Sequence, residues 1–566
     1  MYSLKEIFES RPFRTRNADE YALENILELF VDPTDGLNRP FDYENIIVKG
    51  KMGSGKTMYL RANHAYYLYT LVADLLADSE IILPIYINLS ECQHITNSDK
   101  IYEKIIYKIV LEMVHVCDSL TSASRMAEIH RGFQNLGVQL PNKKNMKEIY
   151  KRLNLMTVDG YIETVGKEVN VEGNIAYKFI NLCKKAAKNY QIEIKKVGIP
   201  QFEDIIDTYG KIIKPFSGKI LILLDEVSSL NRSFFKEEQG KISQFETLMN
   251  QLRTLPFVRV KVAIYPFDIC DVLMETRYGD NVQLDSDIRN KDYEVFLNKV
   301  IVLIERYMEN SMQEKKSIEE LFDIQSENMD AVEQLVYACG GNMRRLVHLL
   351  DLTMDCAYKR GKGYEKIRKE DVIKAICRQA EDCENRFQIS DKEWLSSIVK
   401  VCRNRGAFRF KFPNKTVSLA KYTNRSSEYN IINKIENGQG RRSSIYEFDY
   451  AYCVYKEIPT HYIKNSERLD KNRSKETGEI IKKVTTITDT LIQQSVIPGK
   501  IEGTITYVNE KRDCAYITSS DDKQYFFMQR DVIEDDKDKV LVRSKQVKFV
   551  PIESGEHLFA EEVEIL

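Results

Sequence analysis

A phosphate-binding loop sets the strongest constraint on what this chain can fold into. Gly50-Lys51-Met52-Gly53-Ser54-Gly55-Lys56-Thr57 fills every fixed position of the pattern G-x-x-x-x-G-K-[ST]. Residues 45–49 before it, with three apolar residues at 46–48, are typical of a short buried strand, and residues 58–73 after it have the apolar spacing of a helix. Because a strand and a helix flank the loop, we predict a nucleotide site here.

Each residue type in this loop has a task in holding a nucleotide. The glycines allow backbone N–H groups to surround the β-phosphate, and the helix N-terminus adds partial positive charge. Lys56 can reach the β- and γ-phosphates, and the Thr57 hydroxyl can ligate Mg²⁺. The alternative is an ordinary glycine-rich turn before a helix. The predicted nucleotide-binding residues are Gly50, Lys51, Met52, Gly53, Ser54, Gly55, Lys56, Thr57 and Met58.

Two acids follow a run of branched aliphatic residues. Residues 220–224 are all Ile or Leu, which is typical of a parallel strand buried on both faces. Asp225 and Glu226 come next, where open α/β sheets bind their ligands. We predict that Asp225 completes the Mg²⁺ site and that Glu226 polarises the attacking water as general base. Such a run is mostly structural by itself, but with the phosphate loop upstream it predicts binding of a nucleoside triphosphate.

Composition favours a soluble protein of several domains. The length of 566 residues suggests three or four domains at about 150 residues each. No run approaches the ~20 apolar residues of a membrane span, and the N-terminus lacks the apolar core of a signal peptide. The 11 cysteines include no C-x-x-C pair. We therefore expect a reduced, cytoplasmic protein without a zinc site or a disulfide framework.

The net charge of −2 hides an uneven distribution of charge. Residues 400–500 contain 20 Lys and Arg against 10 Asp and Glu, whereas residues 501–566 contain 9 against 15. The basic segment is where a polyanion is expected to bind.

The order of elements indicates an α/β domain with additions. Apolar runs at 81–89 and 258–265 are predicted as further buried strands. Lys56 and Asp225 lie 169 positions apart, far more than a crossover between parallel strands needs, so 119–215 are predicted to be a mainly helical insertion. The predicted domains are a nucleotide-binding core (1–310), a helical lid (311–385), a basic module (386–498) and a small all-β domain (499–566).

Two runs after the core resemble the AAA+ ATPases, within them the branch of the origin-recognition-complex subunits and related initiator ATPases. Gly340-Gly341-Asn342-Met343-Arg344-Arg345-Leu346 is similar to that branch's second sensor, and 370–376 to the last helix of its lid. The resemblance covers roughly 40–380 without the insertion, and it implies ATP hydrolysis with Mg²⁺ and assembly into a homo-oligomer. It makes Arg344 the arginine that reaches the γ-phosphate, with a surface ion pair as the alternative, and Arg345 a solvated neighbour.

Two other positions of that family match less well. The first sensor is usually a small polar residue, and here its place is taken by Tyr265, so either Tyr265 serves or the role is missing. The resemblance implies an arginine that acts on a neighbouring subunit's nucleotide, for which we choose Arg277, with Arg253 and Arg289 as rivals. A plain surface arginine is the alternative. The catalytic set implied is Glu226, Lys56, Arg344 and Arg277.

Initiator ATPases of this kind often carry a winged-helix module after the lid, and 386–498 have the size and polarity for one. Helices are predicted at 394–401 and 429–435, a wing-like hairpin tip at 438–442, and strand-like residues at 445–455.

Basic and aromatic residues alternate in this module, which favours contacts to nucleic acid, DNA more than RNA. The candidate residues are Arg409, Lys411, Arg441 and Arg442. A solvated adaptor surface, or one that binds an acidic protein, is the alternative.

The last segment resembles the cold-shock domains, which are small five-stranded barrels of the OB type. The matching segments are 503–509, 512–517, 525–528 and 546–549. The resemblance places Tyr507, Tyr516 and Phe526 where rings stack on unpaired bases, each worth ~1–3 kcal/mol. Cys514 and Met528 replace a usual aromatic residue and a usual histidine, and the domain is acidic. A role in docking an effector protein is therefore equally open.

We thus predict an α/β protein: a P-loop AAA+ parallel sheet with a helical lid, then a winged-helix-like basic module and a small OB barrel. The predicted function is an ATPase that couples ATP binding and hydrolysis to nucleic-acid binding and self-assembly, as an initiator-like loader or a phage-defence ATPase. The alternative is an ATP-gated scaffold or switch that recruits an effector protein with little turnover.

Overall fold

A computed structural model of the chain shows two compact units. The first comprises Met1–Ser286, Glu294–Leu321 and Gly341–Asp351, and the second comprises Asp287–Tyr293, Phe322–Gly340 and Leu352–Leu566. The residues that the structure describes are 4–33, 40–76, 80–119, 201–214, 217–235, 242–265, 279–285, 288, 293–324, 330–404, 406–412, 419, 422–423, 430–436, 444–460, 484–487, 500–509, 514–533, 536, 541–554 and 557–566.

Helices and strands are numbered in chain order. The helices are α1 (Leu4–Ser10), α2 (Leu23–Leu29), α3 (Lys56–Leu76), α4 (Ser98–Ser119), α5 (Phe202–Ile212), α6 (Gln244–Thr254), α7 (Tyr293–Met312), α8 (Ile318–Leu321), α9 (Ala331–Cys339), α10 (Met343–Gly361), α11 (Lys369–Glu384), α12 (Ile389–Asn404) and α13 (Tyr450–Tyr455). The strands are β1 (Ile46–Lys49), β2 (Ile82–Asn88), β3 (Lys219–Asp225), β4 (Val258–Ile264), β5 (Asp280–Gln283), β6 (Arg409–Phe412), β7 (Ile432–Glu436), β8 (Ser444–Phe448), β9 (Val484–Thr486), β10 (Ile501–Val508), β11 (Cys514–Ser519), β12 (Gln524–Met528), β13 (Gln546–Ser554) and β14 (His557–Ile565).

A five-stranded parallel sheet forms the centre of the first unit. Its strand order is β2-β3-β4-β1-β5, so β1 and β3 are separated by β4. The five aliphatic residues 220–224 of β3 are completely buried, as expected for a strand covered on both faces. Ladders such as Asn88 opposite Asp225 place the carboxyl ends of the strands at one edge. The sheet confirms the predicted α/β class and its predicted strands.

A lysine lies inside this sheet. Lys261, in the middle of β4, is completely buried. Its Nζ donates to the Pro40 carbonyl at 2.9 Å and to Asn63 Oδ1 at 2.6 Å. Burial lowers the pKa of Lys261 to about 7, because desolvation disfavours the charged form.

The N-terminal segment packs within the first unit against α3 and α7. Arg61 of α3 donates to the carbonyls of Ala18 and Tyr21. The Tyr307 ring of α7 stacks on Phe13 with centroids 6.0 Å apart. The predicted insertion 119–215 lies mostly outside the described residues, but 201–214 contain α5.

Helices α9, α10 and α11 occupy the region predicted as the lid. Asp330 caps α9, since its carboxylate accepts from the Glu333 N–H at 2.9 Å. Gly340 ends that helix with a left-handed backbone, φ 60°. The helix predicted at 370–376 is confirmed by α11.

The basic module is a four-stranded sheet with helices. Its order is β7-β8-β6-β9, with β6 antiparallel to β8 and parallel to β9. The helix predicted at 394–401 is confirmed by α12, but the helix predicted at 429–435 is wrong. Ile432 begins β7, which pairs antiparallel with β8, so pairing overrides a helical spacing of apolar residues.

The strand-like stretch at 445–455 is half correct. Strand β8 ends at Phe448, and Asp449 then caps α13 by accepting from the Ala451 N–H at 2.9 Å. The predicted wing tip at 438–442 lies outside the described residues.

The last strands form a closed five-stranded barrel of order β10-β11-β12-β14-β13. Its interior is filled by alternating apolar residues, among them Ile505, Ile517 and Phe527, all completely buried. A small all-β domain was predicted at this place, whereas its cold-shock character stays a prediction. Within the described residues, every helix is too short or too polar to cross a membrane.

Candidate nucleotide site

The phosphate loop connects β1 to α3 at the carboxyl edge of the parallel sheet. Gly50 N–H donates to the Ile264 carbonyl at 3.3 Å, and Tyr59 N–H donates to the Gly55 carbonyl at 2.9 Å in the first turn of α3. The loop is therefore tied to β4 at its start and to α3 at its end, so its position relative to β3 is set by the sheet.

Lys56 is the first residue of α3 and points back into the loop. Its Nζ donates to the carbonyls of Gly50 at 2.8 Å and Lys51 at 2.9 Å. The same Nζ lies 4.0 Å from the centroid of the Tyr265 ring. Burial lowers the pKa of Lys56 to about 8, although Glu226 and Asp225 act in the opposite direction. Sequence reasoning placed Tyr265 in the first-sensor position, and the structure brings its ring to the loop lysine.

Asp225 ends β3 and is 1% exposed. Its Oδ2 accepts from the Tyr86 hydroxyl at 2.8 Å and its Oδ1 from the Glu226 N–H at 2.9 Å. The Thr57 hydroxyl lies close enough to this carboxylate to lower its pKa. Burial raises the pKa of Asp225, and these hydrogen bonds oppose the rise. The two predicted magnesium ligands, Thr57 and Asp225, therefore lie close together.

Glu226 has a left-handed backbone, φ 54° and ψ 32°, which is uncommon outside glycine and costs of order 1–3 kcal/mol. The Ser229 hydroxyl donates to its carbonyl at 2.6 Å. Burial and then the neighbouring Asp225 raise the pKa of the Glu226 carboxyl, whereas Lys56 and Arg344 lower it. The Glu226 carboxyl therefore interacts electrostatically with three other predicted site residues, Asp225, Lys56 and Arg344.

The predicted second sensor contacts the loop. The Arg344 N–H donates to the Gly53 carbonyl at 3.1 Å, and the Arg344 charge acts on Lys56 and Glu226. Asn342 Nδ2 donates to the Met52 carbonyl at 2.7 Å. The structure therefore brings together the residues predicted to act on the subunit's own nucleotide: Lys56, Thr57, Asp225, Glu226 and Arg344.

Gly53 is required by this contact. Its φ is +78°, and a Cβ added there would lie 2.4 Å from Asn342 Oδ1. Asn342 was missed as a site residue, yet its sequence carries a signal: an Asn after two glycines suits a helix N-cap. Its Oδ1 does accept from the Arg345 N–H at 3.0 Å.

One expectation about the second sensor is corrected. Arg345 was expected to be solvated, but it is 5% exposed. It lies four residues before Leu349, which is completely buried, so the two share the inward face of α10. Arg277, expected to act on a neighbouring subunit's nucleotide, and its rival Arg289 lie outside the described residues. Arg253 lies in the last turn of α6.

Asp285 and Ser228 also support the loop and were missed. Asp285 Oδ1 accepts from the Lys51 N–H at 3.0 Å, and Ser228 Oγ accepts from the Tyr265 N–H at 2.9 Å. Asp285 lies far from both motifs along the chain, and Ser228 lies two residues after Glu226 but outside the motif, so neither position was marked by a pattern.

A triphosphate with Mg²⁺ fits the residues present. Ser54 in the loop is 7% exposed, and its Oγ has no hydrogen-bond partner within the part of the chain that the structure describes. A phosphate oxygen would satisfy that atom. One carboxylate and one hydroxyl suit Mg²⁺, which usually combines one or two protein ligands with phosphates and water.

The candidate nucleic-acid residues of the basic module differ in their surroundings. Arg409 Nε donates to Glu447 Oε2 at 3.0 Å, and the Glu447 side chain is 1% exposed. The charge of Arg409 is therefore balanced inside the module, whereas Lys411 on the same strand is exposed. Arg441 and Arg442 lie outside the described residues.

Three aromatic residues form a row on adjacent barrel strands. Tyr507 pairs with Tyr516 across β10 and β11, and Tyr516 pairs with Phe526 across β11 and β12. The ring centroids are 6.2 Å and 5.4 Å apart. Tyr507 is 56% exposed and Tyr516 39%. The row, defined by these three residues, is called the aromatic row below.

Comparison with known proteins gives one family match. Residues 11–107, which span the N-terminal segment, the phosphate loop, β2 and part of α4, match the ORC-CDC6-like family model. No curated protein sequence matches the chain. Among solved structures, the ORC2 protein of Aeropyrum pernix in ADPNP–ADP complexes aligns with a TM-score of 0.31 and 12% identity over 79% of this chain and 94% of that chain. That likeness is too distant to indicate a fold or a function, whereas the family model matches residues 11–107.

Proposed function

We propose that this chain is an initiator-type AAA+ ATPase that binds and hydrolyses ATP with Mg²⁺. The observation that carries the proposal is the meeting of the phosphate loop, the Asp225–Glu226 pair and the Arg344 turn at one edge of the parallel sheet. The family match over residues 11–107 supports it.

Each residue has a defined task in this mechanism. The loop N–H groups and Lys56 hold the phosphates. To do so, Lys56 replaces its hydrogen bonds to the Gly50 and Lys51 carbonyls by bonds to phosphate oxygens. Thr57 and Asp225 would hold Mg²⁺, which neutralises charge on the phosphates. Glu226 accepts a proton from the attacking water. Arg344 donates to the γ-phosphate, so its contact is lost after hydrolysis.

Steady-state hydrolysis by Glu226→Gln tests this proposal. The substitution removes the proton acceptor and keeps the shape, so hydrolysis is expected to fall by about 10²–10⁴-fold, with ATP affinity unchanged. Glu246→Gln, a buried glutamate on α6, is the matched control. Unchanged hydrolysis in Glu226→Gln would show that Glu226 is not the base.

We further propose that the second unit binds nucleic acid and that subunits assemble side by side. The aromatic row supports stacking on unpaired bases, and exposed Lys411 supports contact with phosphates. Arg277 is proposed as the arginine acting on a neighbouring subunit.

Hydrolysis with and without DNA or RNA separates this proposal from an ATP-gated scaffold. Strong stimulation supports an ATPase coupled to nucleic acid. A near-zero rate that DNA and RNA leave unchanged, with nucleotide retained in a one-to-one ratio, identifies the scaffold.

A further inference from the structure

A tyrosine on a neighbouring strand holds the Asp225 carboxylate. Tyr86 lies on β2, two residues before Asn88, which is the ladder partner of Asp225. Since strand side chains alternate between faces, and adjacent parallel strands are in register, Tyr86 and Asp225 point to the same face of the sheet. The Tyr86 hydroxyl donates to Asp225 Oδ2 at 2.8 Å.

The Tyr86 ring is itself held by α3. The His64 ring stacks on it with centroids 5.7 Å apart and an interplanar angle of 22°. His64 lies seven residues after Thr57 on the same helix, and seven residues make about two turns, so both side chains lie on one helix face. Helix α3 therefore supports Asp225 indirectly, through His64 and Tyr86, and its Thr57 lies close to the same carboxylate.

Both oxygens of Asp225 are thereby oriented. Oδ1 accepts from the Glu226 N–H at 2.9 Å, whereas Oδ2 accepts from the Tyr86 hydroxyl. Donors on each oxygen fix the rotation of a carboxylate, and such outer partners orient metal ligands in many sites.

We propose that Tyr86 is a positioning residue that orients Asp225 toward nucleotide-bound Mg²⁺, and that His64 holds the Tyr86 ring in place. This inference rests on the proposed ATPase function. Tyr86 touches neither ATP nor the attacking water in this role, so its effect is on the metal contribution to binding and not on nucleotide binding itself.

Calorimetric titration of ADP with Mg²⁺ and with EDTA tests the inference. The wild-type chain is expected to bind ADP more tightly with Mg²⁺. Tyr86→Phe removes one oxygen and keeps the ring against His64. We expect it to weaken Mg²⁺ binding, measured as the gain in ADP affinity, by about 10-fold or more, with the affinity in EDTA unchanged. A merely structural role would weaken both affinities together.

Tyr43→Phe is the matched control. The Tyr43 hydroxyl donates to the carbonyls of Ile220 at 3.1 Å and Phe257 at 3.0 Å, at the opposite edge of the same sheet. This variant is expected to keep the wild-type gain from Mg²⁺.

The outcomes separate the inference from the proposed function. An unchanged gain from Mg²⁺ in Tyr86→Phe overturns the inference and leaves the ATPase proposal standing. No gain in the wild-type chain contradicts the ATPase proposal. If Tyr86→Phe does not fold, His64→Ala is titrated instead, because it frees the ring. A reduced gain in that variant supports the inference, and an unchanged gain overturns it.

Discussion

The nucleotide site and the aromatic row differ in the burial of their side chains and in the partners that those side chains need. The nucleotide site contains two buried charged groups, each held by named partners: Lys56 by two carbonyls, and Asp225 by Tyr86 and the Glu226 N–H. The aromatic row presents Tyr507 and Tyr516 to solvent. Buried charges need partners because their desolvation is costly, whereas exposed rings need only a neighbour to pack against.

This difference predicts how the two regions respond to substitution. A change in the nucleotide site removes one member of a connected set, so its effect on hydrolysis is large. A change in the aromatic row removes one ring among three, so its effect on the affinity for nucleic acid is moderate. Each ring contributes a separate part of that affinity.

After Glu226→Gln, the largest effect is expected at Arg344. Arg344→Ala removes one preorganised donor near the γ-phosphate and should lower kcat for ATP hydrolysis by about 10²–10³-fold. Arg344→Lys retains a charge but loses the planar guanidinium, so its kcat should lie between those of the wild type and Arg344→Ala. Equal rates of hydrolysis for wild type and Arg344→Ala would show that Arg344 does not act on the γ-phosphate.

The next effect sharpens the comparison inside the second unit. Arg409→Ala removes the ion pair to the buried Glu447 carboxylate, 1% exposed, which should lower the free energy of unfolding by about 3 kcal/mol. Lys411→Ala, on the same strand but exposed, is the control and should leave stability unchanged while lowering the salt dependence of nucleic-acid binding. Urea unfolding and binding at several salt concentrations measure both. An unfolding midpoint unchanged in Arg409→Ala would contradict the internal role of Arg409.

A moderate effect is expected in the aromatic row. Tyr516→Ala should weaken binding of single-stranded oligonucleotide by ~1–3 kcal/mol, measured by fluorescence anisotropy. Tyr525→Ala is unsuitable as a control because Tyr525 is 3% exposed, so Lys523→Ala on the same hairpin serves. Unaltered affinity in both variants would favour protein docking at this barrel.

The smallest effect is the pH dependence caused by Lys261. Its folded pKa is about 7, below the value of about 10.4 in an unfolded chain. Between these values the unfolded chain binds a proton that the folded chain lacks, so stability rises with pH, by at most about 1.4 kcal/mol per unit.

Lys261→Met should reduce this slope. The measurement is the midpoint of urea unfolding at several pH values between 7.5 and 9. The relevant unfolding transition is the one whose midpoint shifts when nucleotide is added. Lys219→Met, on the adjacent strand and partly exposed, is the control. A slope equal to that of the wild type would show that Lys261 is charged in the folded protein.

The nucleotide site was largely predictable because its residues sit in short motifs. Lys56, Thr57, Asp225 and Glu226 are fixed by spacing within a strand–loop–helix and at a strand end. Tyr86 and Asp285 were not predictable, since their contacts arise from strand order and not from local sequence. The 429–435 segment failed for the same reason: its apolar residues suit a helix, and only pairing with β8 makes them a strand.

The close approach of Asn342 to Gly53 has a consequence for related chains. Because a side chain at position 53 would collide with Asn342 Oδ1, the two positions are constrained as a pair despite their distance along the sequence. We expect homologues with a larger residue at 53 to carry a smaller one at 342. The pair of amino acids at positions 53 and 342 would then indicate, from sequence alone, whether the turn before α10 still contacts the phosphate loop.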